Sequence, residues 1–185
     1  LIHNILTTDY VALIHDEDCL RGLAAIHAGG QPALREVVGT DFRQQPDDFS
    51  DYVGVSGICN LIGAIKTARL LGLGKGDNIV TVATDRYDRY PSVLAELEAR
   101  DGALTNDRLS SWSDRIFGNA TTSDILDVRG SEAKKRLFDL KAMTWSRFGY
   151  DEEFFRAMKS PSFWQAQVDQ IPEIDRKIAG LRDSF

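Results

Sequence analysis

A serine set between two glycines opens the stretch of this chain best suited to ligand chemistry, Gly54-Val55-Ser56-Gly57-Ile58-Cys59-Asn60-Leu61-Ile62-Gly63-Ala64-Ile65-Lys66. A small-residue turn carries one hydroxyl and runs straight into an apolar helical pattern. The start of such a helix offers unpaired backbone N–H groups and the positive end of the helix dipole. That combination can hold an acceptor or an anion of a cofactor. The Ser56 hydroxyl has two uses. It can cap the helix by accepting an N–H two or three residues on, or it can be aimed at a ring nitrogen or a phosphate. Gly54 and Gly57 let a ligand come close to the backbone. A second candidate pair, Thr84-Asp85, ends the apolar run Asn78-Ile79-Val80-Thr81-Val82-Ala83. Ligands of open α/β sheets bind beyond the carboxyl ends of strands, which places this pair where a site would lie. The alternative for Asp85 is a residue that simply opens a turn. Arg86-Tyr87-Asp88-Arg89-Tyr90 reads as a structural polar network.

Elements that could position these residues follow from periodicity. Tyr10-Val11-Ala12-Leu13-Ile14 reads as a short buried strand. His15-Asp16-Glu17-Asp18 marks a helix start with acids in its first turn, and Leu20, Leu23, Ala24 and His27 give that helix an apolar face. Pro32–Val38 is expected to form a second short helix, and residues 39–50 a polar loop. Ile58, Leu61, Ile62 and Ile65 form one stripe of the helix that begins near Gly57. Gly72-Leu73-Gly74-Lys75-Gly76 ends it. It lacks the pattern of a phosphate loop and precedes a strand instead of following one. A strand over 78–84 and a helix over 91–100 complete a βα, loop, α, β, α order. That order predicts an α/β fold, part of a three-layer α/β/α sheet domain, over residues 1–104. Residues 105–185 read as a helical C-terminal extension. Two strands do not make a stable open sheet covered on both faces, so further strands are expected from another segment or a partner chain.

Bulk properties narrow the partners. The 185 residues carry a net charge of −6 with no basic stripe, which argues against nucleic acid. No apolar run reaches the roughly 18 residues needed to cross a bilayer, and the start of the chain has no secretory signal pattern. Cys19 and Cys59 read as buried reduced thiols of a cytoplasmic protein, with a disulfide or a reactive thiol as the alternative. His15 to Cys19 contains every common metal-ligand type, but consecutive residues do not converge on one ion, so no metal is expected. The first residue is not Met, which suggests a processed chain or part of a longer one.

The Gly54–Asn60 turn, its helix, and the run ending Val82-Ala83-Thr84-Asp85 with Arg89-Tyr90 resemble the C-terminal half of fold-type II pyridoxal-phosphate enzymes. The cysteine synthase and cystathionine β-synthase branch is the most similar. The strand and acidic helix start at Tyr10–Leu20 fit the same branch, and the likeness covers about residues 7–100. The resemblance implies pyridoxal 5′-phosphate as cofactor and Ser56 as the hydroxyl that hydrogen-bonds its pyridine nitrogen. Gly54, Gly57, Thr84 and Asp85 would line the same ring edge. It also implies a lyase or transferase that eliminates or replaces a group at the β-carbon of an amino acid, and a homo-oligomer, commonly a dimer. Gly57 stands where the family often has Ser or Ala, and Ile58 where it usually has Gly. The Schiff-base lysine and the phosphate loop are not found, since neither Lys66 nor Lys75 has the lysine's context. A missing N-terminal segment or partner chain would supply them, and no residue of this chain is assigned as catalytic. Two further readings stay open: a non-catalytic regulatory or assembly domain of the same fold, and an unrelated α/β nucleotide-binding domain with the Gly54–Gly57 turn on a phosphate.

Overall fold

Helices dominate the structure. The computed structural model describes residues 4–28 and 53–183. The helix expected over 32–38 and the loop over 39–50 lie outside the described residues. Two compact units emerge. One runs from Ala12 to Ile125, and the other joins the residues before Ala12 to those after Ile125. The boundary expected between residues 104 and 105 thus falls inside the first unit.

In the first unit, α1 (Asp16–His27) and α2 (Val55–Leu71) pack against each other, followed by α3 (Pro91–Asp101) and α4 (Asn106–Ser113). A π-helical turn, Asp114–Gly118, continues α4. Helix α1 starts as its sequence predicts. The His15 ring nitrogen accepts the Glu17 N–H at 3.2 Å, and Asp16, Glu17 and Asp18 sit at the positive end of the dipole. Helix α2 ends on Gly72, whose φ of 63° suits a residue without a Cβ. The Leu73 N–H closes back onto the Ala68 carbonyl at 2.9 Å, so the glycine-rich stretch is a helix terminus. The core joins Leu23, Ala24 and Ile26 of α1, Ile58 and Ile62 of α2, Leu94 and Leu97 of α3, Leu109 of α4, and Ile116 and Phe117 of the π turn. Charge pairs fasten the rim. Arg21 and Arg100 bind Asp101 and Glu17, and Arg115 binds Asp18. Lys66, only 7% exposed, meets Asp124 at 2.6 Å.

The second unit is smaller and aromatic. A 3-10 turn over Ile5–Thr7 precedes α5 (Ser131–Trp145), α6 (Glu152–Ala157), α7 (Pro161–Val168) and α8 (Ile171–Arg182). Ile5, Phe138, Phe155 and Met158 form its centre, with Trp145, Phe154, Phe163 and Trp164 packed around them. Edge-to-face contacts such as Phe154–Phe163, with centroids 5.6 Å apart, set their arrangement.

The expected three-layer sheet is not present among the described residues. Strand β1 (Tyr10–Ala12) pairs with β2 (Ile125–Asp127), and each is three residues long. The flanking bonds, Leu13 N–H to the Asp124 carbonyl and Val128 N–H to the Asp9 carbonyl, run in antiparallel register. Residues 78–84 form no strand. A strand exists only through a neighbouring strand that pairs with its N–H and C=O groups, and no described segment pairs its backbone with residues 78–84. Val80 is 94% exposed and Val82 65%.

Candidate functional site

The start of α2 and the loop that carries Thr84 and Asp85 lie side by side. Gly54 is the N-cap residue of α2, and its carbonyl accepts the Ile58 N–H at 2.9 Å. Its own N–H donates to the Asp85 carbonyl, also at 2.9 Å. Farther along the helix, Asn60 Nδ2 donates to the Val82 carbonyl at 2.8 Å. These two bonds fix residues 82–85 along the first turns of α2. Both candidate segments, remote in sequence, therefore meet in one place.

Steric facts explain the glycine at 54. A Cβ there would stand 2.4 Å from Asp85 Oδ1 and 2.5 Å from Tyr90 Cε2. No real Cβ tolerates that approach, so a side chain at 54 would displace the Asp85 and Tyr90 side chains. The closeness expected to admit a ligand is used within the chain: Asp85 and Tyr90 occupy the space over Gly54. Val53 lies in the same way over Gly57, whose Cβ would come 2.8 Å from Val53 Cγ1.

Asp85 is held at both oxygens. Thr84 Oγ1 donates to Oδ1 at 3.0 Å, and the Tyr90 hydroxyl donates to Oδ2. The hydrogen bond to the Asp85 carboxylate raises the Tyr90 phenol above its ordinary value, and burial adds to the rise. The phenol thus stays a proton donor through the neutral range. Asp85 places its charge beside Gly54, at the positive end of α2, where a carboxylate is favoured.

Ser56 takes neither the N-cap position nor a capping bond. It is the second residue of α2, it is exposed, and no described residue hydrogen-bonds its hydroxyl. Gly54 opens the helix instead. The Ser56 oxygen is therefore available to a ligand, next to the free N–H groups of the first turn.

No protein-family profile, curated protein or solved structure matches the chain. The site's chemistry must accordingly be read from its own groups.

Those groups are two hydroxyls, Ser56 and Thr84, a doubly bonded carboxylate and a set of helix N–H donors. They can bind and orient a polar ring or an anion. Nucleophilic chemistry would need a base on Ser56, and no described residue provides one. The unit's lysines are Lys66 and Lys75. Lys66 lies about 15 Å along the helix axis from Ser56, at 1.5 Å per residue, and its ammonium is engaged by Asp124. Lys75 follows the helix end.

Sequence reasoning placed Tyr90 in a structural network, and its bond to Asp85 has that character. It did not single out Asn60 for chemistry. The available signal was position, since Asn60 stands one helical turn after Ser56 on the same face. Nor did it anticipate the stacking of His27 on Tyr87, with centroids 3.7 Å apart, while the His27 ring contacts the Val53 carbonyl at 3.1 Å.

Proposed function

We propose that this chain supplies one wall of a pyridoxal-phosphate site in a lyase or synthase acting on the β-carbon of an amino acid. The observation that carries the reading is the latch of α2 onto residues 82–85, which leaves the Ser56 hydroxyl uncommitted at a helix start. A neutral hydroxyl, a favoured carboxylate nearby and free N–H groups suit the edge of a pyridine ring. When bound, the cofactor supplies an electron sink for carbanion chemistry. Ser56 would donate a hydrogen bond to the ring nitrogen while keeping its own proton, so that nitrogen would stay uncharged and the sink moderated. Thr84 and Tyr90 hold the Asp85 carboxylate in place from both sides. The helix start orients the ring through Ser56, and Gly54 keeps the loop at its distance.

The reactive lysine comes from outside this chain, either from a preceding segment or from a partner chain. The bare run Ile79-Val80-Thr81-Val82 supports that view. An unbroken apolar run of this kind is normally covered on both faces of a parallel sheet, so cover from the same outside segment fits its composition.

The test combines this chain with the remainder of its reading frame and adds pyridoxal phosphate. A visible absorption band and β-elimination from an amino acid bearing a β-leaving group are expected. Ser56→Ala should shift the band and reduce turnover by at least about tenfold, the value of one lost hydrogen bond to a charged or polarised partner, while Ser56→Thr keeps most of it. Absence of the band in the combined protein sinks the reading.

A further inference from the structure

Two cysteines stand on the packed helices α1 and α2, apart from the Ser56 turn's own chemistry. Cys19 lies on α1 and is 4% exposed, while Cys59 lies on α2 and is half-buried. Both are free. The helices approach closely here. Gly22, one turn after Cys19, packs on Ile58, the residue before Cys59, so tightly that a Cβ at 22 would stand 2.9 Å from Ile58 Cγ2. His27 meets the Val53 carbonyl toward one end and Gly22 meets Ile58, so the antiparallel register of the two helices brings Cys19 alongside Cys59. No other cysteine occurs in the 185 residues.

We propose that Cys19 and Cys59 form a reversible dithiol–disulfide pair that joins α1 to α2 when a peroxide is present. The inference is independent of the pyridoxal-phosphate reading. The two thiols differ in their parts. Burial, reinforced by Cys59 and by the Asp16 and Asp18 charges, pushes the Cys19 thiol up to about 12, so it stays protonated at neutral pH. The more accessible Cys59 is the entry point. Its thiolate attacks one peroxide oxygen, the O–O bond breaks, and hydroxide leaves, giving a sulfenic acid. Cys19 sulfur then attacks the Cys59 sulfur. The S–S bond forms, the S–O bond breaks, and the oxygen leaves as water with the Cys19 proton. Two thiols are oxidised by two electrons, and one peroxide becomes two waters. A small dithiol reverses the step by exchange. Because the resolving thiol is protonated, it must release its proton as it attacks, which slows closure.

The bridge closes a loop of about 40 residues, enough to raise Tm by about 10 °C. The experiment treats the native chain with hydrogen peroxide, blocks free thiols, and reads intact mass, non-reducing peptide maps and Tm. A monomer two hydrogens lighter, a linked Cys19–Cys59 peptide that a small dithiol cleaves, and a raised Tm are expected. Cys19→Ser should leave Cys59 as a sulfenic acid that a dimedone probe labels, and Cys59→Ser should leave the chain unreacted under the same exposure. The proposal is overturned if the native chain keeps both thiols, if Cys59 proceeds to sulfinic acid without a crosslink, or if the only bridge joins two copies.

Discussion

Helix α2 meets two very different neighbours. Toward α1 it buries Ile58 and Ile62 among aliphatic side chains, with Gly22 drawn in against it. Near its start it meets residues 82–85 through two backbone-directed hydrogen bonds, and the apolar residues just before them stay exposed. The first contact is closed and held by burial. The second is a latch with an uncovered flank, held by hydrogen bonds that each contribute about 1 kcal/mol. Stability and function are thereby divided: what holds the unit together lies against α1, and what could meet a ligand or a partner lies at the start of α2 and along 78–85.

Substitutions sharpen that division. The largest effect is expected at Ile58→Ala, which opens a cavity in the closed interface and should cost about 3 kcal/mol in denaturant unfolding. An effect below about 1 kcal/mol would show that α1 and α2 are less tightly packed than their contacts indicate. Next comes Gly54→Ala. Its Cβ collides with Asp85 and Tyr90, so about 2 kcal/mol should be lost, with the Tyr90 titration moving back toward that of a free phenol. A normal Tyr90 titration in the unsubstituted chain would break the latch argument outright. Val80→Asp should be smallest, within about 0.5 kcal/mol for the chain alone, because its site is already solvated. The same change should abolish assembly with the remainder of the reading frame, read by co-purification. Unchanged assembly would show that residues 78–84 are not the covered edge.

Sequence pattern was a good guide where the interaction is local. The acidic start of α1, the apolar stripe of α2, the glycine end at 72 and the helix opened by Pro91 all follow from caps and spacing within a few residues. Within the helical extension expected over 105–185, the bounds of α4 were not legible, because Ser110, Ser111 and Ser113 give that segment a polar composition. Its Thr105 cap, which accepts the Arg108 N–H, and the burial of Leu109 outweigh that composition. The 78–84 run shows the opposite case. Its β-prone residues were legible, but a strand is a relation between two segments, and composition names only one of them. As for the site, Ser56, Gly54, Thr84 and Asp85 were visible by type. Their meeting was not, nor was Tyr90 as the second donor to Asp85.

The sequence by itself determined where α1 and α3 begin and where α2 ends, which of their faces are apolar, and which residue types could serve a ligand, since each depends on neighbours a turn or less away. Only the tertiary structure decided that Gly54 is required by Asp85 and Tyr90, that Ser56 is left uncapped, that Cys19 meets Cys59, and that Val80 stays bare. Those outcomes depend on which distant segments share space, and excluded volume and hydrogen-bond pairing are settled only once the chain has folded.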